Sequence, residues 1–300
     1  MSSFRPRGFG PPIPPVVKNL IIINVIMVLA QFALYQRPLN INLGDYLGLH
    51  YFRSQMFRPW QLVTHMFMHG DPRSFENTIL HLFSNMFGLW MLGSILEHRW
   101  GPKRFMTFYL ICGLGAAACQ LGVMSLQLEP IINGYNQFVV NPTLDQFTNF
   151  CNHHLRPGAD DKIVKRLLGV INGWPSDPGN TYFPKAALHS LHEYVYGISP
   201  AISTHSDGIL DEGMVGASGA VFGILFAFGY LLPNLELYMM FIPIPIKAKF
   251  FVLFYMAFEL YAGLRASETD NVAHFAHLGG ALFAFILLKI WGYRFGDRRF

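Results

Sequence analysis

Six apolar stretches, at roughly 17–36, 78–96, 105–125, 214–232, 249–264 and 271–290, limit what this chain can fold into more than any other feature. Most approach the length of about 20 residues that carries a helix across a bilayer. The chain is 52% hydrophobic and 13% charged, against about a quarter charged in soluble domains. Lipid offers the backbone no hydrogen-bond partners, so such segments must be helical or close into a barrel. The expected fold class is therefore an all-α membrane protein with six spans. The fifth run, shortest and carrying Glu259, is the least regular of them.

Orientation follows from Lys and Arg. The stretches 1–18, 97–104, 233–249 and 289–300 hold 12 of them in 55 residues, whereas 37–77, 126–213 and 265–270 hold 10 in 135. Positive charge collects on the cytoplasmic side, which puts both termini inside, across what we expect to be a bacterial plasma membrane. Residues 1–16 read as a flexible cytoplasmic lead, 17–290 as the six-span domain and 291–300 as a basic cytoplasmic tail. The lead lacks the apolar centre of a cleaved signal, so the first run is expected to serve as its own insertion signal and to stay. No basic face is clustered enough for nucleic acid. Three cysteines provide no disulfide framework or Cys-rich metal site, and Cys112 and Cys119 read as packing residues.

Two outside segments stand apart. In 37–77, Tyr46, Phe52, Trp60 and Phe67 are interleaved with His50, Arg53, Arg58 and His65, a mixture suited to the membrane interface and to lipid contact. Residues 126–213 read as a helical insertion on or above the outer surface. Its expected helices start at Asn141-Pro142 and span 160–171 and 184–196, with a break at 174–179.

Polar residues inside spans are costly and are functional candidates by default. The second run carries His81 and Asn85, the fourth Ser218 within Gly216-Ala217-Ser218-Gly219, and the sixth His274 and His277. On its own the tetrapeptide could be only a site of close helix packing. Counted from entry points near Thr78, Gly213 and Asn271, however, Asn85, Ser218 and His277 lie seven, five and six residues in, or about 8–10 Å at the helical rise. An amide, a hydroxyl and an imidazole at one depth make a polar pocket. The stripes Gly219/Gly223 and Gly280/Ala284 would bring the fourth and sixth spans close enough for the Ser218 hydroxyl to meet an imidazole. Serine becomes a nucleophile when a base takes its proton, and neutral histidine suits that task near pH 7. His277 is favoured over His274 by its depth and by the Gly280 that follows. No carboxylate is expected at matching depth, so the reading is a Ser-His dyad. Phe222, one turn beyond Ser218, is placed to stack on the imidazole. His81, Asn85 and the Ser218 amide are placed to meet an oxyanion. Glu259 is expected to snorkel to the interface, to pair with first-loop arginines, or to gate access of substrate. His65, His69, His189 and His192 are read as structural or solvated, with no metal and no cofactor.

These pieces, taken in order, resemble the rhomboid family of intramembrane serine proteases over most of 17–290. The matching motifs run from Pro59 to His69 in the first loop, His81 to Asn85, Gly93 to Gly101 with Glu97, Gly216 to Gly219, and Ala276 to Gly280. The resemblance implies a six-helix bundle that cleaves transmembrane segments of other proteins. It implies Ser218 as nucleophile, His277 as general base and acid, and His81, Asn85 and the Ser218 amide as oxyanion hole; Gly216, Gly219, Phe222 and Gly280 are read from their spacing as supporting the pair. It also implies helix-breaking residues in the substrate and a small residue before the cut. The chain departs from the pattern at Gln61, where many members carry arginine, at Ala284, where glycine is common, and in the greater length of 70–77 and 126–213. A non-catalytic rhomboid-like protein that binds membrane clients is the alternative function. A transporter would need ionisable groups through both leaflets and repeated spans, and the sequence has neither.

Overall fold

The computed structural model describes residues 12–155, 161–177, 179–197, 208–211, 213–239, 242–265 and 273–297. Most of the expected N-terminal lead and of the connection before the sixth run lie outside them.

Among the described residues, three helical segments are long and apolar enough to cross a membrane: Pro15–Tyr35, Phe75–Trp100 and Pro102–Val140. The first is α1. The second comprises α4 (Phe75–Gly88), a π-helical stretch (Leu89–Gly93) and α5 (Ser94–Trp100), and the third is α6. Between α1 and α4, the loop folds into α2 (Leu43–Leu47), α3 (Gln61–Thr64) and a 3-10 turn at His65–Phe67. Two shorter apolar helices follow, α10 (Ser218–Leu231) and α12 (His274–Ile290), with α11 (Ala248–Arg265) between them.

The first helix is tied to the second span by one side chain. Pro14 and Pro15 open α1, and the buried Glu97 carboxylate accepts the Val16 and Val17 N–H groups at 2.9 and 2.8 Å. These are among the first-turn donors that a helix cannot satisfy internally, and a negative charge suits its positive end. Near this end Trp100 stacks edge-on against Trp291, and the Arg104 guanidinium lies 4.1 Å from the Trp291 ring centre. The start of α1 and the end of α12 are therefore at one end of the bundle.

Helices α6, α10 and α12 meet through small residues. A Cβ built on Gly223 would stand 2.7 Å from the Cys112 Cβ, and one on Gly279 would stand 2.6 Å from the Cys119 Cβ. Both cysteines are thus packing surfaces for glycines of neighbouring helices.

Four sequence expectations need correction. The third run does not stop at 125: α6 continues for 39 residues to Val140, with Pro130 inside it. At 1.5 Å per residue it is about 58 Å long, nearly twice the apolar thickness of a bilayer. Its distal half stays folded because Ile131, Ile132, Tyr135 and Phe138 are buried against the insertion. The insertion itself is α7 (Leu144–His154), α8 (Asp161–Gly173) and α9 (Tyr182–Tyr196), around a separate core that includes Phe147, Phe150, Leu167, Trp174 and Leu191. Its first helix is capped by Thr143, whose hydroxyl accepts the Gln146 N–H at 3.3 Å, and not by Asn141. The fold is also not wholly helical. Between α10 and α11, β1 (Glu236–Met239) and β2 (Ile242–Lys247) form an antiparallel hairpin pairing Glu236 with Lys247 and Leu237 with Ile246. Finally, the fourth helix begins at Ser218 itself, where five residues of helix were expected above it.

Candidate active site

The approach to Ser218 is extended chain. Leu49 and Met214 exchange backbone hydrogen bonds at 2.8 and 2.9 Å, and the Gly216 N–H donates to the His65 carbonyl at 2.9 Å. The first loop and the segment before α10 are therefore stitched together like strands. Gly216 has φ +132°, a conformation open to glycine, and a Cβ there would lie 2.9 Å from His81 Nε2. Only a residue without a side chain allows this turn and this imidazole to coexist.

Because α10 starts at Ser218, the N–H groups of its first turn have no intrahelical acceptor, and the positive end of the helix dipole faces the serine. Ser218 itself is half-buried. Beside it is a small cavity of about 10 Å³, lined in part by His65, Met214, Val215, Gly216 and Gly219.

Helix α12 then brings His277. A Cβ on Gly280 would lie 1.8 Å from the Gly219 carbonyl oxygen, so the two helices touch backbone to backbone. At that approach the Ser218 Oγ lies 2.8 Å from His277 Nε2. The Phe222 ring lies parallel to the His277 ring, with centroids 4.0 Å apart and planes inclined by 3°. Phe222 is itself packed against Tyr255 of α11, at 5.0 Å between ring centres.

The expectation that no carboxylate reaches the histidines is overturned. Glu259 of α11 is only 3% exposed, and its Oε2 lies 2.8 Å from His277 Nδ1 and 2.7 Å from His274 Nδ1. It neither snorkels nor pairs with a first-loop arginine; among those arginines, Arg53 bonds Glu129 instead. The signal was present in the sequence. Counted from the outer end of the fifth run at 264, Glu259 lies five residues in, beside six for His277. His274 and His277, three apart on a helix, present one face to it.

Glu259, His274 and His277 are also a set of metal-ligand types, the one such group among the described residues. Two ligands of a tetrahedral zinc at its usual bond lengths stand about 3.3 Å apart. The 2.7 and 2.8 Å separations here are those of charge-assisted hydrogen bonds.

His81 and Asn85 sit on α4, and the Asn85 amide donates to the His81 carbonyl at 2.9 Å. The His81 ring flanks the Gly216–Ser218 turn and meets the buried His69 at 5.1 Å between ring centres. Ser218, His277, Phe222, Gly216, Gly219, Gly280 and His81 are thus brought together. The hydrogen bond described for the Asn85 side chain is within its own helix. His65 is buried, with Nδ1 2.8 Å from the Gln61 carbonyl. His192 Nδ1 is 3.0 Å from the Tyr135 hydroxyl, within the insertion.

The sequence profile of the Rhomboid domain matches residues 56–132 and 187–294, more than half of the chain. The unmatched interval between them contains α7 and α8, so the match skips most of the insertion. An uncharacterized mitochondrial rhomboid protein of Schizosaccharomyces pombe is 25% identical over 242 residues. That alignment takes in 78% of this chain, which spans about half (52%) of the relative's length. With both site-forming regions inside the matched residues, the chain belongs to the rhomboid family of membrane proteins.

Proposed function

We propose that this protein is an intramembrane serine endopeptidase that hydrolyses peptide bonds in the transmembrane segments of other proteins. The observation that carries the reading is the 2.8 Å contact between Ser218 Oγ and His277 Nε2 in a rhomboid-family chain. Ser218 would attack the scissile carbonyl as its proton passes to His277 Nε2. The negative oxygen that forms would be met by the Ser218 N–H, His81 and Asn85, each such donor contributing about 3 kcal/mol. Collapse of the intermediate expels the amine, which takes the proton back from His277, and water then hydrolyses the acyl-enzyme by the same route.

The same reading has six spans, with the bundle end that holds the start of α1 and the end of α12 on the inner side. Support comes from the Lys and Arg asymmetry, which suits a bacterial plasma membrane, whereas the fungal relative is described as mitochondrial. The insertion would then stand on the outer side, over lipid and substrate.

The test is incubation of purified protein with a tagged single-span reporter in detergent and in liposomes. Cleavage by wild type and none by Ser218→Ala or His277→Ala is the expected result, with the double variant no worse than either single one. Binding of the reporter without cleavage, and no reaction of Ser218 with a fluorophosphonate, would instead identify a client-binding protein.

A further inference from the structure

We propose that Glu259 is a positioning residue for His277, and that His274 in turn holds Glu259, so that the centre is the chain Ser218–His277–Glu259–His274. This rests on the hydrolase reading above. An ionised carboxylate only accepts hydrogen bonds, so a shared Oε2 at 2.8 and 2.7 Å requires a proton on Nδ1 of both histidines. His277 then has its lone pair on Nε2, the atom that faces Ser218 Oγ at 2.8 Å. Without the carboxylate the neutral ring could as well carry its proton on Nε2 and present no base.

Three further features fit this assignment. Glu259 is 3% exposed and both histidines are 8% exposed, and a buried carboxylate persists only when its oxygens are paired. His274 supplies the second donor, which makes it a holder of the carboxylate and not a rival base. Phe222 covers one face of the His277 ring while Glu259 meets its Nδ1 edge, so the imidazole is held by a stacking surface and a hydrogen bond at once. Among the described residues, Tyr255, one turn before Glu259 on α11, and His81 across the site on α4 are further titratable groups facing the cluster.

The proton accounting is closed. As the Ser218 Oγ–carbon bond forms, the hydroxyl proton moves to His277 Nε2 and the ring becomes an imidazolium. Its Nδ1–H remains on the ring, stabilised by the Glu259 charge, and Glu259 is never protonated. When the carbon–nitrogen bond breaks, the Nε2 proton leaves with the amine.

The decisive variant is Glu259→Gln, nearly the same shape but able to donate where Glu259 accepts. In purified full-length protein we expect kcat for the reporter to fall about 10²- to 10⁴-fold with KM unchanged, by the precedent of removing a triad carboxylate. The rate of fluorophosphonate labelling at Ser218 should fall in parallel, and the rising limb of the pH–kcat profile should move. Glu259→Asp should recover part of the rate, and His274→Gln should lose less than Glu259→Gln. A wild-type kcat and labelling rate in folded Glu259→Gln would overturn the assignment. A second readout is independent of turnover: the Nδ1–H proton of His277, a downfield NMR resonance expected in wild type and Ser218→Ala and absent in Glu259→Gln. If wild type neither cleaves nor labels yet the resonance behaves as stated, the hydrolase reading fails and the positioning stands. If the resonance persists unchanged in Glu259→Gln, the positioning fails. Should Glu259→Gln not fold, Glu259→Asp decides, because its shorter arm must shift that resonance and lower kcat.

Discussion

The Gly219 carbonyl oxygen stands 1.8 Å from where the first side-chain carbon of any residue at 280 would be. The fit of α12 to α10 is therefore set by backbone, which cannot move aside as a flexible side chain would. Gly280→Ala should push the helices apart, costing about 1–3 kcal/mol from overpacking and stretching the Ser218–His277 contact. A lower midpoint of thermal unfolding and slower fluorophosphonate labelling are the expected results. Gly122→Ala, in α6 with nothing within 4 Å of the new methyl, should be neutral or stabilising by about 0.5–1 kcal/mol. Equal effects from the two substitutions would sink the argument.

Phe222 should matter to rate more than to binding. Its ring lies flat on His277, and an aromatic pair of this kind is worth about 0.5–1.5 kcal/mol beyond its buried area. Phe222→Ala is therefore expected to lower kcat about 2- to 13-fold at unchanged KM, with Phe222→Tyr close to wild type. Steady-state kinetics on the reporter substrate would decide, and a change confined to KM would show that Phe222 contacts substrate and not the base.

The first loop depends on Gln61. This fully buried side chain donates to the Met56 and Tyr46 carbonyls at 2.9 and 3.3 Å, and accepts the Arg58 and His50 N–H groups at 3.0 and 3.4 Å. Gln61→Ala removes this partner from the Met56 carbonyl and from the Arg58 and His50 N–H groups, while the Tyr46 carbonyl keeps the Trp60 indole N–H at 3.1 Å, at a cost of about 1–3 kcal/mol for each group not reached by water. The expected outcome is a lower unfolding midpoint with Ser218 labelling retained in the folded fraction. An unchanged midpoint would mean that the loop holds its shape without this hub.

Topology is open to a direct check. Lys103 and Ser176 are both exposed, one at the start of α6 and the other in the insertion. In intact cells, an impermeant thiol reagent should label Ser176→Cys and leave Lys103→Cys unlabelled, in a background where the native cysteines are replaced. Ser94 would be a poor reporter, because it is completely buried and shielded whichever way the protein faces. Labelling at position 103 alone would invert the proposed orientation.

How much of this was legible in the sequence depended on whether a signal was local. The nearness of Ser218 to His277 could be read because small-residue stripes mark where helices touch, and these lie one turn from each residue. The depth count that supported it was partly misconceived, since Met214 to Ala217 are not helical and Ser218 opens its helix. Glu259 was missed because its partners belong to another helix, and a lone carboxylate near a span's end reads as an interfacial charge. The extension of α6 was missed for a related reason. The expected span stopped at 125, where the apolar run ends, but packing against α7 and α9 sustains the helix to Val140. Such contacts between distant segments leave no periodic trace at either end.

The proposed centre draws all its members, Ser218, Glu259, His274 and His277, from the last three helices of the described chain. Synthesis runs from the other end, at about 5–20 residues per second. The earlier helices are thus made and can settle in the membrane while the serine still has no base. Even after Ser218 has emerged, the 59 residues to His277 take several seconds more to make at that pace. On the proposed function, a nascent chain would pass through the insertion machinery chemically silent, next to the very helices such a site would cut. A chain truncated after Arg265 should accordingly insert and remain inert to a fluorophosphonate, and α12 would then be the element that arms the proposed centre.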